Sequence, residues 1–140
     1  MDVTQIPFNK FIAISHSSAA ECALELAFTD RIRNHLGTLH ASAQFALAEA
    51  CSGLALQRHF PHLADAVVPV LRKSEVKFKR PAQSTLRARA QVDAASREAF
   101  ESQLNRKGRA TIVVPVELTD QEGTITLTGT YEWYVQKTDG

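Results

Sequence analysis

Residues 34–53 read NHLGTLHASAQFALAEACSG. Thr38 is placed as an N-cap, because its side-chain oxygen can accept from the free amides of a first helical turn. From Leu39 to Leu56 the residues are mostly Ala, Leu and other small or apolar types, with no Pro and a single late Gly. Glu49 is the only charged residue between His35 and Arg58. A helix that is apolar almost all round belongs inside a core. A membrane span fits worse, since His40, Gln44 and Glu49 interrupt the run and a bilayer requires about 20 predominantly apolar residues. The composition therefore predicts one long buried helix from about Leu39 to Gln57, carrying one buried carboxylate. Its many small side chains would let other backbone approach closely.

The rest of the chain must cover that helix. At 140 residues, positions 1–140 form one domain large enough for a single core. A net charge of +1 with interspersed signs leaves no basic footprint for nucleic acid. Cys22 and Cys51 stand far apart without metal-ligand spacing, so neither a metal site nor a disulfide scaffold is expected. The opening MDVTQIPFNKFIAIS lacks a basic segment followed by an apolar one, so no secretory signal is read and a cytoplasmic protein is expected. A frayed polar tail is expected after Gln136.

Short segments of strand character run from Phe11 to Ser15 and from Cys22 to Phe28, the second with Cys22, Leu24, Leu26 and Phe28 on one face. Pro61 disfavours helical geometry at Phe60, so the long helix should end near Arg58. Val67–Lys79 begins as an apolar run and settles into alternation. Leu86, Ala88, Ala90 and Val92 alternate with polar residues at period two, as do Ala110, Ile112, Val114, Val116 and Leu118. Ser96–Lys107 reads as a short helix closed by Gly108. Asp120–Gly123 is a turn, and Ile125, Leu127, Gly129, Tyr131, Trp133 and Val135 form the inner face of a last long strand. Pro115 marks a bulge or an edge. Consecutive strands imply an antiparallel meander, and its apolar face has only the long helix to cover. The fold class is α+β: one curved antiparallel sheet of about six strands wrapped around a central helix.

That layout, with these residues, resembles the hotdog fold. Thioesterases of the phenylacetyl-CoA and 4-hydroxybenzoyl-CoA type carry an Asn, a Gly, then His-Gly-Gly opening the helix, and an acidic residue eight positions after the first Gly of the pair. This chain matches at Asn34, Gly37, His40 and Glu49, with Ala41 and Ser42 in place of the Gly pair. The Gly-Thr-apolar-His-Ala opening followed by Ala-Glu is most similar to the uncharacterised, thioesterase-like branch of the superfamily. VKFKRPAQSTLRARAQV and VPVELTDQEGTITLTGTYEWYV also resemble its strands, so the likeness covers nearly the whole chain.

The resemblance implies thioester hydrolysis, with no cofactor beyond coenzyme A as part of the substrate. Such a reaction needs an attacking group and donors for the developing oxyanion. The Ala41 amide stands where the superfamily's helix-opening amide meets the thioester carbonyl. Glu49 is the candidate attacker, as general base for water or as nucleophile. Eight helical residues span roughly 12 Å at about 1.5 Å each, too far for one carbonyl to meet both groups on one helix. The two halves must come from different chains, so a homodimer or dimer of dimers is expected, with helices antiparallel across it. Asn34 is read either as a loop residue or as one orienting substrate or water. His40 is read first as a residue satisfying the loop and second in proton transfer; Ser42 is read as a small packing residue ahead of a nucleophile, since no Ser-His-acid set is evident, and in the site as substrate-binding. Lys79 and Arg80, with Lys77, either meet the phosphates of coenzyme A or form a solvated strand face. Two other readings stand beside hydrolysis. One is a non-catalytic module binding acyl-CoA or acyl-carrier protein, motivated by the missing Gly pair. The other is a hydratase or dehydratase pairing His40 with Glu49.

Overall fold

The long apolar segment forms helix α2, Ala41–His59, at the centre of a computed structural model describing residues 1–138. Around it runs one antiparallel sheet built from β1 (Ile14–His16), β2 (Leu24–Leu26), β3 (Val67–Phe78), β4 (Leu86–Ala90), β5 (Arg109–Thr119) and β6 (Ile125–Lys137). The strand order is β1-β2-β4-β5-β6-β3, which places β1 and β3 at the two edges. Helix α2 touches β2, β4, β5 and β6, so one helix fills the inner face across four adjacent strands. Burial alternates along β5: Ala110, Ile112, Val114, Val116 and Leu118 are buried, with Arg109, Thr111, Val113 and Pro115 facing out. The register sets Ile112 opposite Trp133, Val114 opposite Tyr131 and Leu118 opposite Leu127. These pairs, with Leu24, Leu26, Leu47 and Leu86, make one continuous core under α2.

Gly129 shows why β6 needs a residue without a side chain. A Cβ there would lie 3.0 Å from the Glu75 carbonyl oxygen and 3.1 Å from Val76 Cγ2. Val76, its partner on β3, therefore fills the inner-face space that a side chain at 129 would take.

Several elements differ from the sequence reading. Helix α2 starts at Ala41, not Leu39, and its N-cap is His40, not Thr38. The reason is local: Asn34 Nδ2 donates to the Thr38 hydroxyl at 2.8 Å, which binds Thr38 into the preceding loop. Phe11 ends a five-residue helix, α1 (Pro7–Phe11), and β1 begins only at Ile14. Pro7 occupies the first turn of α1, where a missing N–H costs nothing. Cys22 and Phe28 fall outside β2. Helix α3 spans Ala94–Lys107, two residues longer than expected, because the Asp93 carboxylate caps it through the Ser96 amide. Gly108 closes it at φ 73°, a conformation that favours glycine.

Pro115 lies in the middle of the sheet, and the β5 register shifts at Leu118/Thr119 instead. It is tolerated because β4 pairs with β5 only from Val116 to Thr119. The Pro115 carbonyl accepts from Gln91 N just beyond that ladder, so its absent N–H faces the same side, where no strand continues. Along that open flank Gln103 of α3 accepts from Thr111 N at 3.3 Å. The expected frayed tail is bound at its start: Lys137 belongs to β6, and Thr138 N donates to Ala66 O at 2.9 Å. Asp139 and Gly140 lie outside the described residues.

Candidate active site

Asn34 organises the approach to α2. Its Oδ1 accepts from the amides of Leu36 (2.9 Å) and Thr38 (3.0 Å), and its Nδ2 donates to Thr38 Oγ1 and Leu39 O. Gly37 takes φ 77° within this loop. Leu39 N then donates to Ala82 O at 2.8 Å and His40 N to Ile32 O at 2.9 Å, fixing the entry of the helix against neighbouring backbone. Asn34 thus spends both side-chain groups on loop geometry.

The first-turn amides of α2 have unequal fates. His40 Nδ1 accepts from Ser42 N at 2.9 Å. The His40 carbonyl accepts from Ala43 N and Gln44 N, at 3.0 and 3.1 Å. Among the described residues the Ala41 amide has no acceptor, and Ala41 is exposed. An unpaired N–H at a helix start, reinforced by the helix dipole, is a donor for negative charge. Ser42 is exposed beside it. Lys79 and Arg80, both exposed, follow β3, and Ala82 two residues on is the one bonded to Leu39. Through Ala82, the segment that follows β3 is bonded to the residue two before the helix start.

Glu49 sits two turns further along α2. The helix is not buried all round: Ser42, Phe45, Glu49, Gly53 and Gln57 keep some exposure, and their spacing of three and four residues places them on one stripe. Glu49 is half-buried on it, and desolvation raises the pKa of its carboxyl above the ordinary value, with no charge or hydrogen bond opposing. A single chain does not bring Glu49 to its own Ala41 amide, since the helical rise over eight residues is roughly 12 Å.

The sequence places Tyr131 and Trp133 on the inner face of β6 but does not say which helical groups they bond near Glu49. Tyr131 Oη donates to Phe45 O at 3.2 Å, and the two rings pack with centroids 5.3 Å apart. Trp133 Nε1 donates to Ser52 Oγ at 2.9 Å, and Ser52 Oγ donates to Glu49 O at 2.7 Å. Cys51 is core, and burial pushes its thiol up to about 12, so it is inert as a nucleophile. Both cysteines are free thiols. Among the described residues no cluster of three or more His, Cys, Asp or Glu could hold a metal ion. Among the described residues no helix is long and apolar enough to cross a membrane. A groove of about 540 Å³ between Glu75, Lys77, Arg89 and Glu117 contains neither Glu49 nor Ala41.

One open antiparallel sheet around a central helix that opens on a free amide is the hotdog fold. Residues 7–135 match the model of a domain of unknown function, DUF4442, and the chain belongs to that family. No curated protein matches it. Among solved structures, a Pseudomonas aeruginosa protein of unknown function described as a probable thioesterase superposes with a TM-score of 0.81 at 22% identity, covering 97% of this chain and 91% of that one. The Escherichia coli PaaI protein of the phenylacetic acid degradation operon gives 0.66 at 21% identity, covering 89% and 85%. A Bacillus halodurans protein solved with CoA gives 0.64 at 20% identity, covering 80% and 69%.

Proposed function

We propose that this protein hydrolyses an acyl thioester, of coenzyme A or an acyl-carrier protein, at a site completed by two copies of the chain. The observation that carries the reading is the unpaired Ala41 amide at the start of a helix whose open stripe also bears a poorly hydrated Glu49. The Ala41 N–H of one copy would hold the thioester oxygen as it becomes negative. Glu49 of the other, antiparallel across a homodimer, would take a proton from water or attack the carbonyl carbon itself. The carbon–sulfur bond then breaks and the thiolate leaves; in the first route Glu49 returns its proton to the departing sulfur, and in the second water cleaves the Glu49 anhydride to release the acid. Asn34 serves by shaping the loop that leaves the amide free, and the exposed Lys79 and Arg80, on the segment bonded to Leu39 through Ala82, are the candidates for the thiol carrier's phosphates. The related structure solved with CoA supports that ligand class.

The methyl of Ala41 and the side chain of Ser42 narrow the approach relative to a Gly pair, which favours a binding module as the second reading. The hydratase pairing draws no support from His40, whose Nδ1 is engaged in the cap. Thiol release from a panel of acyl-CoAs tests the proposal. Hydrolysis that falls at least about a hundredfold in Glu49→Gln, the low end of general-base loss, is the expected result. Tight binding of acyl-CoA without hydrolysis would establish the binding module instead.

A further inference from the structure

We propose that Ser52, held by Trp133, is a positioning residue for Glu49. Trp133 and Tyr131 stand two apart on β6, so both project to the inner face toward α2. Tyr131 reaches the helix four residues before Glu49, at the Phe45 carbonyl. Trp133 reaches it three residues after, at Ser52, whose hydroxyl is in turn bonded to the Glu49 carbonyl. The turn that carries Glu49 is therefore tied to the sheet on both sides.

The chemistry of the tie is specific. An indole N–H only donates, and a helix interior offers it no free acceptor. A serine hydroxyl both accepts and donates, so Ser52 converts the indole into a contact on Glu49's own backbone. Ser52 is fully buried, which removes water as an alternative partner for either group. A serine inside a helix bonding back to a carbonyl ordinarily gains nothing for the helix. Here it fixes the turn whose side chain faces the open stripe. The inference rests on Glu49 being the attacking group, and it says what holds that group still.

Two readouts test it on the full-length protein, one of which does not need turnover. With glutamate carboxyls labelled by ¹³C, the Glu49 signal is identified by its loss in Glu49→Gln and titrated. Ser52→Ala should loosen the turn, admit water and move the Glu49 midpoint down toward the ordinary carboxylate range. Ser52→Thr, which keeps the hydroxyl, should return it. In the thiol-release assay Ser52→Ala should lower kcat roughly tenfold at unchanged KM, since small misplacement of a reacting group is costly, and Ser52→Thr should recover it. Trp133→Phe should behave like Ser52→Ala, and the double variant no worse than either alone. If Ser52→Ala leaves the midpoint unmoved, or Ser52→Thr matches Ser52→Ala, Ser52 does not position Glu49. A wild-type protein that hydrolyses nothing defeats the proposed function alone, and the titration then decides this inference by itself.

Discussion

The imidazole Nδ1 of His40 accepts from the amide of Ser42 at 2.9 Å, and the amide of Ala41 between them is left without an acceptor. Capping thus consumes one first-turn donor and spares its neighbour. Because His40 caps through a ring nitrogen, the ring must keep Nδ1 unprotonated while the cap holds. His40→Ala removes the acceptor, and the loss of a cap costs about 1 kcal/mol. For a chain of this size that lowers Tm by roughly 3 °C. His40→Asn should recover most of that Tm, because a side-chain oxygen can take the same amide. Thermal melts of the three proteins compare them directly. Equal melting of His40→Ala and wild type would show that the ring contributes no cap.

Glu49 links acidity to both stability and activity. Burial raises its folded pKa above the unfolded value, so the fold disfavours the charged form. Below the ordinary value of about 4.3 both states hold the proton, and the residue costs nothing. As pH climbs from the ordinary value through the raised folded value, the unfolded chain is already ionised, so folding must either take up a proton or bury a poorly hydrated carboxylate, and stability falls. Glu49→Gln should therefore melt with wild type near pH 3 and above it at pH 8. Activity runs the other way, since attack needs the carboxylate. The acid limb of kcat/KM should lie above the ordinary carboxylate range. A limb at the ordinary value would mean that Glu49 is fully hydrated in the working enzyme or is not the attacking group.

The elements legible in the sequence were those written as long periodic patterns. Helix α2 was readable because charge is nearly absent over 36–57, and β5 and β6 because apolar residues recur every second position over a dozen residues. The N-cap was misplaced because Thr38 and His40 are both able to accept, and tertiary bonds choose between them: Leu39 to Ala82 and Asn34 to Thr38. Helix α1 is too short for its pattern to outvote the β-branched residues after it. Ile12 and Ile14 read as strand, and the helix that precedes them is only five residues long. A resemblance singled out Asn34, His40, Ala41 and Glu49 as candidates, but it could not say what each bonds to. The tie through Trp133 and Ser52 joins residues 81 apart, and no local pattern says which helical residue an indole on β6 will meet.

The two-chain site stands or falls on how β3 is completed. Strand β3 pairs with β6 along one side from Val67 to Phe78, and no strand among the described residues pairs with its other side. Val68 and Val70 on it are about half exposed, at 51% and 54%, and a long apolar edge of this kind invites pairing. A second copy running antiparallel would complete it and continue the sheet across a homodimer. Lys79 N donates to Thr126 O on the β6 side, and alternate residues of an antiparallel strand turn their amides to opposite sides. Counting back, Lys77 and Glu75 face β6, and Phe78, Val76 and Ser74 face the open edge. Ser74→Pro then removes a donor that only a second copy would use, and Glu75→Pro removes one that β6 uses. Light scattering at micromolar concentration should show wild type as a dimer and Ser74→Pro near the single-chain mass of 15.4 kDa. Ser74→Pro should keep a folded circular-dichroism spectrum but lose thiol release, whereas Glu75→Pro should chiefly lower Tm. A dimeric Ser74→Pro would move the interface away from this edge, and a monomeric wild type that still hydrolyses thioesters would put the whole reaction within one chain.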